Sequence, residues 1–366
     1  MWVSTPQSLK QMVGDLSAQP RLAVDTESNS LHAYREQVCL IQFSTPRTDY
    51  LVDPLELTDL SLLAPIFEDP KTEKVFHAAE YDLICLRRDF GFTVANLFDT
   101  MHASRVLGYP AVGLDKLLDD KFGVQMDKRY QKADWGARPL TKEQIHYARL
   151  DTHYLFDLRD ALEKELRDKG RWLLAQEDFG RACDPEEPKA KSNGDAIRRF
   201  NGRKDISPRE LTILNELCLW RAGAAEKLDR PLYKVITNNA LIAVARGAPT
   251  HKVDLAGIGL SERQIRLWGE QVLAAVVRGS NAPLMERKHA KRPEAAMLSR
   301  LEKLKSWRKK VAQEMGVESD IVLPRPYLFE LSEKPPKDGR ELAALMAGSP
   351  WRLEQYGSQI LKMLEG

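Results

Sequence analysis

The chain has 366 residues, which at about 150 residues per domain predicts two to three domains and excludes a single small one. Apolar residues form 43% and charged residues 30%, the balance of a water-soluble folded chain and not of a collagen-like or broadly disordered one. The 55 basic and 53 acidic side chains nearly cancel overall, yet residues 1–185 carry 23 against 30, net −7, and residues 186–366 carry 32 against 23, net +9. The basic excess concentrates in residues 201–312, with 22 against 11, so an acidic half suited to cations precedes a basic half suited to a polyanion. No stretch approaches the roughly 18 consecutive apolar residues of a spanning helix, and the first twenty residues lack the pattern of a secretory leader, so neither a membrane nor a secreted protein is expected. Cys39, Cys85, Cys183 and Cys218 lie far apart and fit reduced thiols in a cytoplasm better than a disulfide framework or a metal knuckle.

In chain order, Leu22–Thr26, Val38–Ser44, Asp49–Val52 and Lys74–Phe76 read as strands, being rich in Val, Ile, Phe and Leu. Helical apolar spacing marks Leu60–Phe67, Tyr81–Phe90, Met101–Leu107 and Leu114–Lys121. Thr141, placed before Glu143 and Gln144, caps one long expected helix running to about Lys169. This is an α/β domain over residues 1–185.

From Asp184 to Gly194 the pattern breaks into a polar, proline-containing stretch that reads as a linker. Strand signals nearly vanish after Ser207, and an internal repeat appears at an offset of 87 to 88 residues. Trp220-Arg221 falls on Trp307-Arg308, Leu255 on Leu342, and Trp268-Gly269 on Tyr356-Gly357. Two copies of one all-helical module are therefore expected, at 205–283 and 294–366, joined by a basic exposed linker at Gly279–Pro293 that carries Arg287, Lys288, Lys291 and Arg292.

The chemistry gathers in the first half. Asp25 and Glu27, two apart at the end of a strand, point to the same side of the sheet. Their repulsion is relieved most simply by a hard divalent cation such as Mg²⁺ or Mn²⁺. Asp82 stands near the start of a helix that follows a strand, and Tyr147 and Asp151 are four apart on one helix face. A phenol beside such carboxylates can orient or help deprotonate a water while two metals stabilise the attacking and leaving oxygens of a phosphodiester.

The ordered set Asp25, Glu27, Asp82, Asp151, with Tyr147 four before the last, resembles the tyrosine branch of the DEDD superfamily of 3′-to-5′ exonucleases. Ala133-Asp-Trp-Gly-Ala-Arg-Pro-Leu-Thr141 resembles the D-W-x-x-R-P-L segment of the ribonuclease D group, and His77 with Asp82-Leu83 also fits that group. The repeated modules resemble HRDC domains. The resemblance covers nearly the whole chain. It implies a ribonuclease H-like exonuclease domain, a mixed sheet with flanking helices, followed by two all-α HRDC-type domains. It also implies two divalent ions, Mg²⁺ or Mn²⁺, hydrolysing RNA from its 3′ end to nucleoside 5′-monophosphates, with tRNA precursors bearing 3′ extensions as typical substrates. By the same resemblance Asp25, Glu27 and Asp151 bind the ion that activates water, Asp25 bridges to a second ion supported by Asp82, and Tyr147 positions the nucleophile.

His146 stands five before Asp151, the spacing of the superfamily's histidine branch, but at about 100° per residue only the four-residue offset of Tyr147 is co-facial with Asp151. Four further residues are candidates for substrate contact, each with a structural alternative: His77 as a hydrogen-bonding residue at an element junction, Gln42 as a core amide, and Trp135 with Arg138 as a packed indole and a salt-bridged guanidinium. The repeat-bound Trp220, Trp268 and Trp307 read as core. Lys227, Arg230, Lys234, Arg246, Lys252 and Arg263 are candidates for sequence-independent phosphate contacts. A monomer is expected. A DNA exonuclease would use the same carboxylates, and an inert RNA-binding scaffold is the reading from a different class. No Gly precedes Lys-Ser or Lys-Thr, so no Walker A loop and no nucleotide cofactor are expected.

Overall fold

Residues 21–28 alternate between two covered faces, and in the computed structural model they form an interior strand of a six-stranded mixed sheet. The structure describes residues 1–185, 197, 200, 205–285 and 293–364. The strands are β1 (Trp2–Val3), β2 (Arg21–Ser28), β3 (Val38–Ser44), β4 (Asp49–Val52), β5 (Glu73–Phe76) and β6 (Leu97–Asp99), in the order β1-β4-β3-β2-β5-β6. The β2/β3 and β3/β4 pairs are antiparallel, and the other three are parallel. β1 and β6 escape sequence reading because two and three residues are too few to show a period.

The helices of this half are α1 (Pro6–Leu16), α2 (Ala64–Glu68), α3 (Glu80–Phe90), α4 (Thr100–Leu107), α5 (Leu114–Phe122), α6 (Lys142–His153), α7 (Leu155–Asp168) and α8 (Trp172–Ala182). Leu22 and Val24 of β2 pack on one side with Phe43, Leu9, Met12, Leu83 and Leu86. Ala23 faces the other side, with Val75, Phe98, Val106, Leu158 and Leu162. A third cluster joins Leu40 and Leu51 of the sheet to Trp135, Tyr147 and Ala148, and so seats α6 over β3. β3 is buried along its full length, and accordingly reads as a near-continuous apolar run interrupted by Gln42.

The single long helix expected from Thr141 to Lys169 is two helices, broken at Tyr154, where φ is −96° and ψ 4°. Both halves keep an apolar face on the domain and neither Gly nor Pro marks the break, so the pattern runs through it. The Thr141 cap is present: its hydroxyl accepts from Gln144 N at 3.2 Å, and Gln144 Oε1 accepts from Thr141 N at 2.9 Å. The segment expected as a helix from Leu60 is a 3₁₀ turn, Ser61–Leu63, running into α2.

Beyond residue 205 the described residues form no strand. Helices Pro208–Lys227, Leu232–Val235, Asn238–Gly247, Lys252–Gly257 and Glu262–Asn281 are followed by Ala295–Met315, Ser319–Val322, Arg325–Glu333, Gly339–Leu345 and Pro350–Leu364. The long-short-medium-short-long order occurs twice, which is the structural form of the sequence repeat. Trp220 and Trp268 meet edge to face at 6.4 Å on the first core, and Trp307 meets Tyr356 at 5.4 Å on the second. Gly279 is not linker: the helix continues to Asn281, and a Cβ on Gly279 would stand 2.4 Å from Ile213 Cα, so this glycine permits close helix approach. Arg287, Lys288, Lys291, Arg292 and the polar stretch 186–194 lie outside the described residues.

The chain forms two compact units. One unites Met1–Ser28, Val38–Glu186 and Arg292–Gly366, so the second helical module belongs with the sheet domain. The other unites Asn29–Gln37 with Glu187–Lys291. Within it, Tyr34 N donates to Asp229 Oδ1 at 3.0 Å, and Tyr233 Oη donates to Leu31 O at 3.0 Å. Among the described residues no helix is long and apolar enough to cross a membrane.

Candidate active site

Asp25 and Glu27 project from the same face of β2, and α6 brings Asp151 over that face. One carboxylate oxygen from each of the three lies within 4.8 Å of the others. Asp82, in the first turn of α3, accepts a hydrogen bond from the Thr26 hydroxyl. Its placement depends on Asp99. That fully buried carboxylate accepts from the backbone N–H of Ala78 at 3.1 Å and Ala79 at 2.7 Å, and from those of Met101 and His102 at 2.8 and 3.0 Å. One side chain thereby ties the approach to α3 to the start of α4, with Ala78 at a φ of 62°.

The electrostatics are those of an uncompensated acidic cluster. Burial, then repulsion from Asp151, Asp82 and Glu27, holds the Asp25 carboxyl pKa well above the ordinary carboxylate range. Glu27 is raised by burial and by Asp151 and Asp82, and Asp151 by burial and Asp82. Asp82 is pushed up to about 7, chiefly by burial, against the lowering effect of the Thr26 hydrogen bond. A shared hard cation removes both penalties, and the set consists of oxygen donors only, the chemistry Mg²⁺ and Mn²⁺ prefer. Asp151 Oδ2 is buried without a hydrogen-bond partner, a second sign that these residues fit a divalent ion.

Tyr147 is 6% exposed, and its hydroxyl stands near enough to Asp151, one turn on, to lower that carboxyl's pKa against the effect of burial. Burial and the three carboxylates push its phenol pKa up. His146 is exposed and lines a cavity of about 440 Å³ with Arg129, Tyr130, Lys142 and Tyr147 itself. The helix thus turns Tyr147, and not His146, toward the carboxylates.

The other candidates have structural work. His77 Nδ1 donates to Thr100 Oγ1 at 2.9 Å, since that hydroxyl itself donates to Phe76 O at 3.1 Å, and burial lowers the ring's pKa. Trp135 is 1% exposed and packs on Tyr147 at 6.1 Å. Arg138 donates to both Asp53 oxygens at 2.6 and 2.7 Å, to Cys39 O at 2.7 Å and to Trp135 O at 2.8 Å. These contacts are those of the structural alternative for this pair, a packed indole and a salt-bridged guanidinium. Gln42 is fully buried, as its reading as a core amide requires. Lys227, Arg230, Lys234, Arg246, Lys252 and Arg263 are all exposed, with Arg246 paired to Asp205 and Lys252 to Glu270.

Sequence reading missed Thr26, Asp99, Arg129 and Lys142. Asp99 was findable as an N-cap before Thr100-Met101. The others carry no pattern apart from the fold that places them.

Comparisons with known proteins agree with this geometry. Residues 1–167 match the 3′-5′ exonuclease family, and residues 210–276 and 297–364 each match the HRDC domain. The chain is 30% identical over 374 residues to ribonuclease D of Pseudomonas paraeruginosa, covering 100% of this chain and 97% of that protein. It is 34% identical over 275 residues to the exosome complex exonuclease RRP6 of Saccharomyces cerevisiae, covering 70% of this chain but 37% of that protein. It spans 31% of the length of RRP6-like protein 3 of Arabidopsis thaliana, at 35% identity. The crystal structure of Escherichia coli RNase D, described as an exoribonuclease involved in structured RNA processing, superposes with a TM-score of 0.71 at 27% identity over 100% of this chain and 98% of that one. The RRP6 catalytic core of Trypanosoma brucei gives 0.67 at 30% identity, over 76% of this chain and 79% of that one. With its exonuclease domain, its two HRDC domains and a full-length relative at that identity, the chain belongs to the ribonuclease D family of 3′-to-5′ exonucleases.

Proposed function

We propose that the protein is an exoribonuclease that removes nucleotides one at a time from the 3′ end of RNA as nucleoside 5′-monophosphates, leaving a new 3′-hydroxyl. The observation that carries this reading is the convergence of Asp25, Glu27 and Asp151 within 4.8 Å, beside Asp82 and Tyr147. Asp25, Glu27 and Asp151 would hold one divalent ion, with Asp25 shared to a second beside Asp82. Bound Mg²⁺ or Mn²⁺ supplies Lewis acidity and neutralises charge at the scissile phosphate. Tyr147, buried beside these carboxylates, would position the attacking water through its hydroxyl.

In this reading the domains are 1–185 for chemistry and 205–283 and 294–366 for holding the RNA body, with exposed Lys and Arg contacting phosphates in a salt-dependent manner. Substrates are structured RNAs with single-stranded 3′ extensions, tRNA precursors among them, processed in the cytoplasm by a monomer. The relatives named for ribonuclease D and RRP6 support RNA as the polymer.

The test is digestion of matched RNA and DNA oligonucleotides, labelled at the 5′ end, with Mg²⁺, Mn²⁺ or EDTA, by wild type and Asp25→Asn. A ladder shortening from the 3′ end of RNA, lost with EDTA and in the variant, is the expected result. Preference for DNA would retain the chemistry and replace the substrate, and binding without cleavage under every metal would defeat the enzymatic reading.

A further inference from the structure

Gln42 is fully buried on β3, and neither its amide oxygen nor its amide nitrogen has a hydrogen-bond partner. An unpaired buried amide carries its full desolvation penalty, and such groups call for an explanation in a ligand, an ion or a bound water. Its position supplies one. Gln42 is the residue directly opposite Asp25 in the antiparallel β2/β3 register. Opposed residues place their Cβ atoms about 4.5–5.5 Å apart on one face, so the amide and the Asp25 carboxylate share the face that α6 covers.

The neighbours on that face of β3 locate the part of α6 above it. Leu40 packs in one cluster with Tyr147 and Ala148, and the Ser44 hydroxyl meets the Thr152 hydroxyl at 2.7 Å. Gln42 stands between Leu40 and Ser44, beneath the turn that carries Asp151, whose Oδ2 is also buried and unpartnered. An orphan donor and an orphan acceptor therefore occupy one layer beside the acidic cluster.

We propose that Gln42 is a positioning residue for the metal-binding carboxylates. Unpaired in the metal-free structure, its amide N–H groups reach Asp25 and Asp151 through one buried water once the divalent cation draws the carboxylates together, and hold them in that arrangement. An amide suits this place because it donates without adding a positive charge that would compete with the ion. Partners of this outer kind typically change metal affinity by about 10- to 100-fold. The inference rests on the proposed reading of Asp25, Glu27, Asp82 and Asp151 as metal ligands.

The experiment is calorimetric titration of Mn²⁺ into wild type, Gln42→Met, Ser44→Ala and Asp25→Asn, with melting of each metal-free protein. Gln42→Met is expected to weaken Mn²⁺ binding about 10- to 100-fold while melting at the same or a higher temperature, because it removes an unpaired amide. Its RNA turnover should recover at high Mn²⁺ with KM for RNA unchanged. Ser44→Ala, which loses hydrogen bonds on the same strand face, should melt lower and bind Mn²⁺ as wild type does. Should methionine pack badly, Gln42→Leu makes the same test. Wild-type Mn²⁺ affinity in the folded Gln42 variants would overturn the inference, as would a lowered metal-free melting temperature, which would assign the amide to a structural hydrogen bond. If wild type and Asp25→Asn bind Mn²⁺ equally, the metal-site reading itself fails, and the two failures are thereby distinct.

Discussion

Arg352 Nη1 lies 2.7 Å from Glu177 Oε2, and both side chains are withdrawn from water. The same guanidinium reaches Asp178 at 2.7 Å and Ile321 O at 2.8 Å, while Glu177 Oε1 accepts from the backbone N–H of Trp351 and of Arg352. This knot fastens the second helical module to α8. Removing the cation leaves two buried carboxylates facing each other, with Arg181 near one of them. Arg352→Met is expected to destabilise the protein by about 3–5 kcal/mol. Removing the exposed, solvent-screened Lys164–Asp168 pair should cost far less. Urea unfolding of the two variants checks the contrast, and equal effects would contradict it.

A second feature of that unit is the approach of two backbones. Gly108 has a φ of +84°, and a Cβ there would stand 2.2 Å from Gly316 O. Gly108→Ala combines left-handed strain of about 1–3 kcal/mol with a clash against backbone, which cannot swing aside as a side chain can. Gly123 is the control, with a φ of +67° and open space around its Cβ. Thermal melting should show Gly108→Ala falling further than Gly123→Ala, and equal shifts would remove the close approach from the account.

Tyr147 and His146 are adjacent in sequence, yet Tyr147 is buried beside the carboxylates and His146 is exposed. Tyr147→Phe deletes the hydroxyl that meets Asp151, and single-turnover RNA cleavage is expected to slow by about 10²- to 10⁴-fold with Mn²⁺ affinity unchanged. His146→Gln changes an exposed cavity wall and should leave the cleavage rate near wild type. The reverse ranking would move the assignment to the superfamily's histidine branch.

Much of the chemistry was legible because its spacing survives in one dimension. Asp25 and Glu27 obey the two-residue period of a strand, and Tyr147 with Asp151 the four-residue neighbourhood of a helix. The repeat likewise announced two helical modules. What stayed hidden depends on which elements meet. Nothing in the sequence links Arg138 to Asp53, 85 positions apart, so the guanidinium was as credible on a phosphate as in the scaffold. Gln42 showed as a polar break in an apolar strand, but only the register opposite Asp25 gives that break a direction. The break at Tyr154 has no residue signature, because the apolar faces of α6 and α7 both rest on the domain.

Lys74 is fully buried, with Nζ donating to Asp69 O at 2.6 Å, and burial lowers its pKa to about 8 against the attraction of Asp69. The unfolded chain keeps its proton to about pH 10.4. Between these values the unfolded state binds more protons than the native one, so this group adds stability as pH rises. Lys74→Met lacks the effect. The melting temperature of wild type relative to Lys74→Met should therefore climb between pH 8 and 10, and a constant difference would place the ammonium in a far more polar setting.

The acidic cluster predicts the opposite slope. Asp82 titrates near 7 in the folded, metal-free chain and near 3.9 when unfolded, so the native state binds more protons across that window and loses stability as pH rises through it. Asp82→Asn removes this term, and the melting temperature of wild type relative to the variant should fall from pH 5 to pH 7.5 in EDTA. A divalent cation competes with those protons, so its stabilisation should grow over the same range. At 100 times its dissociation constant it contributes about 2.7 kcal/mol, and Asp25→Asn should forfeit most of that while melting higher than wild type in EDTA, because a repelling charge has gone. Melting curves of the three proteins at both pH values, with EDTA and with Mg²⁺, make the comparison. A metal-free wild type that gains on Asp82→Asn as pH rises would mean that the cluster is compensated from within the chain, and the carboxylates would then have no need of an ion.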